Sequence, residues 1–235
     1  MEEISKAGVP VSGADIQRTL GLPKPTIYRL LQALEVEGYL TRDLDGKRYA
    51  PSQRSRLMAI NVLSSTRLRA ARLEVLRKLS KEIGETCNIA VPDRNSMIYL
   101  DRYETSWPLR FELPIGSSVP LYCTASGKVF LSHLRAKQRQ VTIEAMALTP
   151  HARNTIKSNH LLAAEIALTK RQGYAVDDEE FIDGMIAIGV PVLGANCRLF
   201  CTLSFHAVKQ RMSLEKALSY VPLLKAASKE LTKLT

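Results

Sequence analysis

The segment Gly13–Pro51 constrains the fold of this chain more than any other part of the sequence. It begins with Ile16 and Leu20, which lie one helical turn apart and predict one face of a short helix. The run GLPKP follows: its glycine accepts the left-handed backbone of a helix end, and its prolines fit only the first turn of a new helix. The apolar residues of that second helix recur at helical spacing and predict a single buried stripe, made of Ile27, Leu30, Leu31 and Leu34.

The opposite face of the second helix is rich in hydrogen-bond donors, namely Lys24, Thr26, Tyr28, Arg29 and Gln32. Beyond Gly38, the runs Tyr39–Asp43 and Lys47–Ala50 predict two strands around an Asp-Gly turn, with Lys47 and Arg48 just past its tip. A helix, a glycine turn, a second helix and a basic hairpin, in this order, are typical of a winged helix-turn-helix.

This order predicts a DNA-binding module. We expect the polar helix face to contact the major groove of double-stranded DNA through Lys24, Thr26, Tyr28 and Arg29. We expect Lys47 and Arg48 of the wing to contact the phosphate backbone. The alternative is an ordinary helical hairpin beside a β-hairpin, with solvated cations and with Arg29 paired to Glu35 or another neighbour.

The charge distribution supports a nucleic-acid partner. The net charge is +10; residues 1–81 hold 15 Lys and Arg against 8 Asp and Glu, whereas residues 82–235 hold 18 against 15. A basic excess in the first third suits binding to a polyanion. No membrane binding is expected, because a helix that lies on a bilayer needs an apolar face with Trp or Phe, and residues 1–81 contain neither.

Other segments exclude further classes of protein. The N-terminus MEEISKAG lacks the basic and apolar regions of a signal peptide, and the most apolar run, Met185–Ala195, is too short to span a bilayer. The four cysteines show no CxxC spacing, which favours reduced, buried thiols in a cytoplasmic protein. No cofactor is expected, and no zinc-site spacing links the Cys and His residues that could contribute to one: Cys123, His133, Cys197, Cys201 and His206.

The rest of the chain predicts a second, larger domain. We place the DNA-binding domain at residues 1–52, a linker helix with an apolar stripe at 53–68, and the larger domain at 69–235, opening with a helix at Ala70–Glu85. Short strands are then expected at Thr86–Val91, Met97–Tyr103, Leu109–Leu113, Ala175–Val176, Met185–Val192 and Leu199–His206. Helices are expected at Thr124–His133, Ala136–Met146, Asn159–Gln172 and Ser213–Leu234. Because strands both precede and follow a group of helices along the chain, we expect an antiparallel sheet flanked by helices, which is an α+β fold.

Four motifs resemble those of the isocitrate lyase regulator (IclR) family of bacterial transcription regulators: LGLPKPTIYRLLQALEVEGYL, LPIGSSVPLYCTASGKVFL, GYAVDDEEFIDGMIAIGVPV and LSFHA. They occur in the family's order and cover nearly the whole chain. The resemblance implies an N-terminal winged helix-turn-helix, a linker helix used for dimerisation and a C-terminal GAF-like effector-binding domain. It also implies operator binding as a homodimer or a dimer of dimers (a homotetramer), and control of catabolic genes by a small organic acid or an aromatic metabolite.

The resemblance further implies an effector pocket. The family positions that line it are Asp177, Ala187, Ser204 and His206, together with the loop around Thr124, Ser126 and Gly127. Family members with a small-oxoacid effector tend to have Cys at the position of Ala187 and Ser at that of His206, so the resemblance does not assign an oxoacid to this chain. The first helix, Glu2–Ala7, is also shorter than in the family, by two or three turns.

Residue chemistry leaves alternatives open at these positions. The helix expected from Thr124 has free N–H groups that suit an anion, but Thr124 or Ser126 can equally be a simple helix cap. His206 alternates with Ser204 along an apolar strand and is either a ligand group or a structural residue. The acidic residues Asp178–Glu180 are expected to cap a helix.

Two other functions remain as alternatives to a ligand-responsive regulator. Some GAF-like domains are redox enzymes, and Cys123 lies before a helix start, where the pKa of a thiol can be lowered. A protein that binds DNA constitutively, without an effector, is the other candidate. The attached DNA-binding module favours a regulator that is not an enzyme and has no catalytic residues.

Overall fold

The computed structural model describes residues 1–43, 45–63, 66–194 and 197–234. The chain divides into two units, Met1–Ser65 and Thr66–Thr235, which are described in turn. The predicted linker helix at residues 53–68 includes residues 64 and 65, which lie outside the described residues. Helices at Gln53–Leu63 and Thr66–Ile83 lie on either side of them.

The first unit contains short helices and a small antiparallel sheet of order β1-β3-β2. Its elements in chain order are α1 (Glu2–Ala7), β1 (Val11–Ser12), α2 (Gly13–Leu20), α3 (Lys24–Val36), β2 (Leu40–Arg42), β3 (Arg48–Pro51) and α4 (Gln53–Leu63). Helices α2 and α3 form the predicted helix-turn-helix, and β2 and β3 form its wing.

Local sequence determines the helix-turn-helix. The Ser12 hydroxyl oxygen accepts a hydrogen bond from the Asp15 N–H, and the Asp15 carboxylate accepts one from the Ser12 N–H, so α2 begins with a capping box. Gly21 ends α2 with a φ of 66°, a conformation that favours glycine. Pro25 lies in the first turn of α3, as predicted.

The core of the first unit joins its helices to its wing through six buried residues: Ile4, Ile16, Ile27, Leu31, Leu40 and Tyr49. The predicted stripe is wrong at Leu30, and the predicted face of α2 is wrong at Leu20; each residue is 47% exposed. Helix α2 and strand β2 pack against the side of α3 that carries Ile27 and Leu31. Leu30 lies about 100° around the helix from Leu31, beyond that contact.

The second unit is an α+β domain with an antiparallel sheet of order β6-β5-β4-β9-β8-β7. Its helices are α5 (Thr66–Ile83), α6 (Ala125–His133), α7 (Ala136–Glu144), α8 (Asn159–Gln172), α9 (Leu214–Ser219) and α10 (Val221–Thr232). Its strands are β4 (Thr86–Asp93), β5 (Ser96–Tyr103), β6 (Ser118–Pro120), β7 (Ala175–Asp178), β8 (Met185–Leu193) and β9 (Leu199–Val208). The predicted class, a winged helix-turn-helix followed by an antiparallel sheet with helices, is confirmed.

Helices cover both faces of this sheet. Because side chains alternate along a strand, Ser204 and His206 of β9 lie on one face, where Ser204 Oγ accepts a hydrogen bond from Ser126 of α6. Phe205, between them, points to the other face, and its ring packs edge-on against Tyr220, between α9 and α10. None of the helices within the described ranges has the length and apolar composition needed to cross a membrane.

The strand predicted at Leu109–Leu113 is wrong; the edge strand is β6, at Ser118–Pro120. Tyr99 of β5 donates a backbone hydrogen bond to Ser117 and accepts one from Gly116. The turn at Gly116 therefore brings the residues that follow it, and not those before it, against β5.

The single C-terminal helix predicted at Ser213–Leu234 is two helices, α9 and α10, which meet at Tyr220. Pro222 lies in the first turn of α10. Proline has no N–H to donate, so it fits the start of a second helix better than the interior of a continuous one.

Gly127 allows α6 to lie directly against the loop that precedes it. A Cβ atom at this position would lie 2.3 Å from the carbonyl oxygen of Leu121 and 2.4 Å from its Cα. These are backbone atoms, which cannot move aside as the end of a flexible side chain can.

Replacing Gly127 with alanine should destabilise the protein. The overlap with Leu121 outweighs the ~1 kcal/mol that alanine gains over glycine inside a helix, and we expect a net loss of about 1–3 kcal/mol. Urea unfolding, followed by the fluorescence of the single tryptophan, Trp107, measures the loss. Gly194→Ala is the matched control, since its Cβ would meet nothing closer than 3.8 Å; equal losses in both variants would contradict the close approach.

Candidate functional sites

The residues predicted to contact DNA lie at the surface of the first unit. Thr26 is half-buried, and the others are exposed: Lys24, Tyr28, Arg29, Lys47 and Arg48. Tyr28 also packs against the start of α2, because a Cβ on Gly13 would lie 3.1 Å from its ring, yet 44% of the residue stays exposed. The Lys24 ammonium lies 5.9 Å from the centroid of the Tyr28 ring, at the limit of a cation–π contact.

The basic residues of α2, α3 and the wing fall into two groups. Arg18 pairs with Asp15, and Arg42 donates to both oxygens of Glu35, at 2.8 and 3.0 Å. Glu35 is therefore engaged by Arg42 and not by Arg29. Among the described residues, no ion pair involves the four cations predicted to contact DNA, Lys24, Arg29, Lys47 and Arg48. These four can meet a polyanion without first breaking an ion pair.

A small cavity lies in the second unit, with a volume of about 10 Å³, enough for about one water molecule. It is lined by Tyr99, Thr124, Ala125, Ser126, Asp177, Phe181, Met185, Ala187, Ser204 and His206. A larger groove of about 240 Å³ lies between α1 and α2 of the first unit, but it is a shallow surface feature. Converging buried polar groups, and not volume, make the small cavity the candidate ligand site.

The structure brings six of the seven residues predicted to bind an effector into the lining of this cavity. Gly127 is the exception, and its close approach to Leu121 gives it a packing role. The sequence analysis missed four lining residues, Tyr99, Ala125, Phe181 and Met185. Apolar and aromatic residues of this kind are expected in any core, so their residue types did not indicate a ligand site.

The N-terminus of α6 forms one side of the cavity. Thr124 Oγ1 accepts the Gly127 N–H at 3.1 Å and donates to the Pro120 carbonyl oxygen at 2.6 Å, so Thr124 is the helix cap. Ser126 Oγ donates to Ser204 Oγ at 3.2 Å, which links α6 to β9. Thr124 thus caps the helix and lines the cavity, and the two interpretations of this segment are compatible.

Asp177 is fully buried in the wall of the cavity. Its Oδ1 accepts the backbone N–H groups of Glu180 at 2.9 Å and Phe181 at 3.3 Å. Its Oδ2 has no hydrogen-bond partner among the described residues. Burial raises the pKa of Asp177 to about 7, and the nearby charge of Glu180 adds to the rise. Near neutral pH, the carboxyl group therefore carries its proton in a large share of the molecules.

The acidic residues after Asp177 do not cap a helix, so that prediction is wrong. Asp178 is the last residue of β7, and Glu179 and Glu180 begin the turn between β7 and β8, in which Glu179 has a φ of 59°. Glu179 accepts the Gly184 N–H at 2.9 Å and pairs with Lys209 at 2.6 Å. These contacts hold the turn closed at its outer end.

Lys128 of α6 is a fully buried cation that the sequence analysis did not identify. Its Nζ donates to Glu180 and, at 3.2 Å, to Glu165 of α8. Burial alone lowers the pKa of Lys128, but attraction by Glu180 and Glu165 outweighs it and the net shift is upward. The charged amine therefore joins α6 to α8 and to the turn that carries Asp177. A lone lysine in a helix is most often solvated, so the sequence pattern did not predict that Lys128 is buried.

His206 ends a hydrogen-bonded chain that starts at Arg102. Arg102 of β5 donates to Asn88 Oδ1 of β4 at 3.2 Å, and Asn88 Nδ2 lies 3.2 Å from His206 Nδ1. Burial lowers the pKa of His206 to about 3, and the positive charge of Arg102 acts in the same direction, whereas a hydrogen bond to the Phe111 backbone opposes the shift. The imidazole is therefore neutral near pH 7. Asn88 and Arg102 were not predicted, although a polar residue inside an apolar strand is a signal that could have found them.

Cys123 is not an activated nucleophile. Its side chain is buried, and burial raises the pKa of the thiol, with Asp177 and Glu180 adding to the rise. The expectation of a lowered pKa before α6 is wrong, because desolvation outweighs the helix terminus. Within the described ranges, no group of three or more His, Cys, Asp and Glu residues is arranged to hold a metal ion.

Replacing Asp177 with asparagine should make the stability of the protein less dependent on pH. The folded protein keeps the Asp177 proton up to about pH 7, whereas the unfolded chain loses it near 3.8, so this group's contribution to stability falls as the pH rises through that window. Asparagine keeps the acceptor for Glu180 and Phe181 but cannot ionise. As the pH rises from 5 to 8, the free energy of unfolding of the variant should increase by on the order of 2 kcal/mol relative to that of the wild type. Urea unfolding of both proteins at each pH measures the difference, and a constant difference would show that Asp177 does not titrate in this window.

Two family models match the chain. The IclR helix-turn-helix domain matches residues 2–44, and the bacterial transcriptional regulator IclR C-terminal domain matches residues 60–233. Together they include the helix-turn-helix and every residue of the small cavity.

Individual proteins show the same similarity along the whole chain. A protein named probable transcriptional regulator SauR, from Cupriavidus necator, is 38% identical over 233 residues, which span 99% of this chain and 92% of that protein. The crystal structure of IclR from Thermotoga maritima has a TM-score of 0.69 at 28% identity and covers 96% of this chain and 91% of that one. An IclR homologue from Microbacterium hydrocarbonoxydans, solved in complex with 4-hydroxybenzoate, has a TM-score of 0.65 at 20% identity, with 96% and 91% covered, and shows the fold alone. The chain belongs to the IclR family of bacterial transcriptional regulators.

Proposed function

We propose that this chain is a cytoplasmic, ligand-responsive regulator that binds double-stranded operator DNA and controls catabolic genes for a small organic acid or an aromatic metabolite. The observation that carries the DNA-binding assignment is a set of four cations on α3 and the wing that form no ion pair within the described part of the chain: Lys24, Arg29, Lys47 and Arg48. The neighbouring Arg18 and Arg42 pair with acidic residues. The four other cations lie on the helix and the hairpin that a winged helix-turn-helix directs toward DNA.

In this proposal, α3 enters the major groove with Lys24, Thr26, Tyr28 and Arg29. Arg29 is the best candidate to bind a guanine, because a guanidinium can donate to the O6 and N7 atoms of the base at the same time. Lys47 and Arg48 neutralise phosphates on the flank of the site. The half-buried Thr26 and the packed ring of Tyr28 have less freedom, and they fit contacts to a sugar or a thymine methyl.

We further propose that the protein acts as a homodimer or a dimer of dimers. Helix α4 exposes three large apolar side chains, with Leu57 and Met58 each 50% and Val62 65% exposed. Such a row on a helix favours burial against another copy. We assign residues 1–52 to DNA binding, 53–68 to the linker and 69–235 to effector binding. In a dimer, the spacing of the two recognition helices must match the operator half-sites, so a change in that spacing alters affinity.

The proposed effector occupies the small cavity of the second unit. The hydroxyl groups of Thr124, Ser126 and Ser204 converge there with Asp177 and His206, an arrangement that can hold a polar molecule in one orientation. Because the cavity has room for about one water molecule, its lining must move to admit such a ligand. That movement is how we expect ligand binding to favour another conformation.

Replacing Arg29 with alanine should lower the affinity for the operator by roughly 1–3 kcal/mol if its guanidinium binds a base. Fluorescence anisotropy with a duplex chosen from random DNA by the wild-type protein measures the change. Arg18→Ala is the matched control, because it also removes an arginine of the helix-turn-helix but one already paired with Asp15. Equal losses in both variants, or none in Arg29→Ala, would rule out base contact.

Organic acids should raise the melting temperature of the full-length protein, because ligands that bind the folded state stabilise it by mass action. The measurement is a thermal-shift screen with aliphatic oxoacids, hydroxyaromatic acids and sugar acids. For any acid that binds, Ser204→Ala should remove most of the shift, whereas Ser219→Ala, on the exposed side of α9, should keep it. No shift with any acid would favour a constitutive DNA-binding protein, and a full shift in Ser204→Ala would place the ligand elsewhere.

A further inference from the structure

Residues 108–114, between β5 and β6, have the sequence PLRFELP, which is symmetric about Phe111 in the kind of residue it contains. Counted outward from this residue, an arginine stands opposite a glutamate, a leucine opposite a leucine and a proline opposite a proline. The next residues on either side, Trp107 and Ile115, are both apolar. Two copies of such a segment that run antiparallel about a two-fold axis at Phe111 place each residue opposite its counterpart.

The backbone of this PLRFELP segment has hydrogen-bonding groups that the rest of the chain does not use. Within the described ranges, the N–H groups of residues 109–113 donate to no acceptor. Residues 110–114 belong to no helix, turn or strand. Backbone N–H groups need a partner, either in a protein or in water. The segment therefore has an edge to which another strand can add.

One backbone contact shows which side of the segment faces outward. The Phe111 carbonyl oxygen accepts a hydrogen bond from Arg102 of β5, so it points into the second unit. In an extended chain, the N–H and C=O groups of successive residues point to opposite sides. The backbone groups of Arg110 and Glu112 therefore point away from Arg102, toward a second chain. In the two-fold arrangement, Arg110 of each copy exchanges two backbone hydrogen bonds with Glu112 of the other, which gives four in total.

The charged side chains of the segment match in the same arrangement. Within the chain, Arg110 contacts Glu104 at 3.0 Å and Glu112 at 3.4 Å, and the Glu112 side chain stays 75% exposed. In the two-fold arrangement, Arg110 lies directly opposite Glu112 of the second copy, and this pair occurs twice. Opposite charges across two antiparallel strands stabilise the pairing, whereas like charges destabilise it. The charge pattern therefore favours a second copy of this chain over an unrelated strand.

We propose that the PLRFELP segment is a surface for self-association, which pairs antiparallel with the same segment of a second copy of this chain. The pairing accounts for three large apolar side chains that are otherwise exposed, with Trp107 52%, Leu109 62% and Ile115 49% exposed. Leu109 lies opposite Leu113 of the second copy, and Trp107 lies opposite Ile115. Each exposed side chain thus gains an apolar neighbour.

The two prolines limit the pairing to the centre of the segment. Pro108 and Pro114 occupy the next positions whose backbone points outward, and proline has no N–H to donate. The ladder therefore ends after the four central hydrogen bonds. A two-fold contact of this kind is also closed, because each copy uses the same surface. Together these features allow pairing of two chains without open-ended growth of a sheet.

Reversal of the charges tests the pairing. Arg110→Glu places two acidic side chains opposite each other at both contacts, and Glu112→Arg places two basic ones there. Each full-length variant should associate about 10-fold more weakly than the wild type. Sedimentation equilibrium, over the concentrations at which the wild type dissociates, measures the change. Arg171→Glu makes the same charge change at an exposed position of α8 and should match the wild type. Unchanged association in both segment variants would overturn the proposal.

An equimolar mixture of Arg110→Glu and Glu112→Arg separates pairing from a local disturbance of either chain. The first variant has two acidic side chains in the segment and the second has two basic ones, so a mixed pair again has opposite charges at both contacts. The mixture should associate about as strongly as the wild type. A mixture as weak as the separate variants would overturn the proposal, because damage within one chain is not repaired by another chain.

The mass of the particles separates this proposal from the contact proposed for α4. A tetramer of two homodimers rests on the function proposed above, whereas the pairing of the segment does not. If α4 joins a homodimer, weakening of the segment contact converts tetramers into dimers. If α4 does not, the same variants convert dimers into monomers. A wild type that keeps one mass at all concentrations, equal to that of both segment variants, would overturn the role of the segment in either case.

Discussion

The ion pair between Lys128 and Glu180 is the interaction on which the cavity of the second unit depends. It joins α6 to the turn between β7 and β8, and Glu165 extends it to α8. The backbone N–H of Glu180 also holds the Asp177 carboxylate, so one contact positions two walls of the cavity. Removing Lys128 would leave Glu180 buried without its partner, a change that typically costs about 3–5 kcal/mol.

Burial acts on the two ionisable groups of the cavity in opposite directions and leaves both closer to neutral. Desolvation penalises the charged form of an acid and of a base alike, so it raises the pKa of Asp177 to about 7 and lowers that of His206 to about 3. The fixed charges, Lys128 and Arg102, lie behind these groups and are compensated by acids. In the function proposed above, such a cavity would distinguish ligands by the direction of their hydrogen bonds more than by their total charge.

The sequence was sufficient for features that depend on local rules and insufficient for those that depend on what covers a residue. Gly21, Pro25 and the Asp-Gly turn predicted the helix-turn-helix and its wing, because backbone geometry selects those residue types. Leu20 and Leu30 have the spacing of core residues but lie outside the faces that neighbouring elements cover. Lys128, Asn88 and Arg102 were missed because polar residues are assumed to be solvated unless a partner distant in sequence is known. The cavity residues came from resemblance to a family and not from spacing, since they converge from separate parts of the chain.

If the proposed effector binds in the cavity of about 10 Å³, the closed lining also affects the concentration at which the protein responds. Only molecules in which the lining has opened can take up an effector, and the apparent dissociation constant rises in inverse proportion to their fraction. An open form present in about one molecule in a hundred weakens the apparent affinity about 100-fold without altering a single contact to the ligand. In the function proposed above, a closed resting state would act as a threshold, because trace amounts of a metabolite would leave the regulator unchanged and only an accumulated metabolite would produce a response.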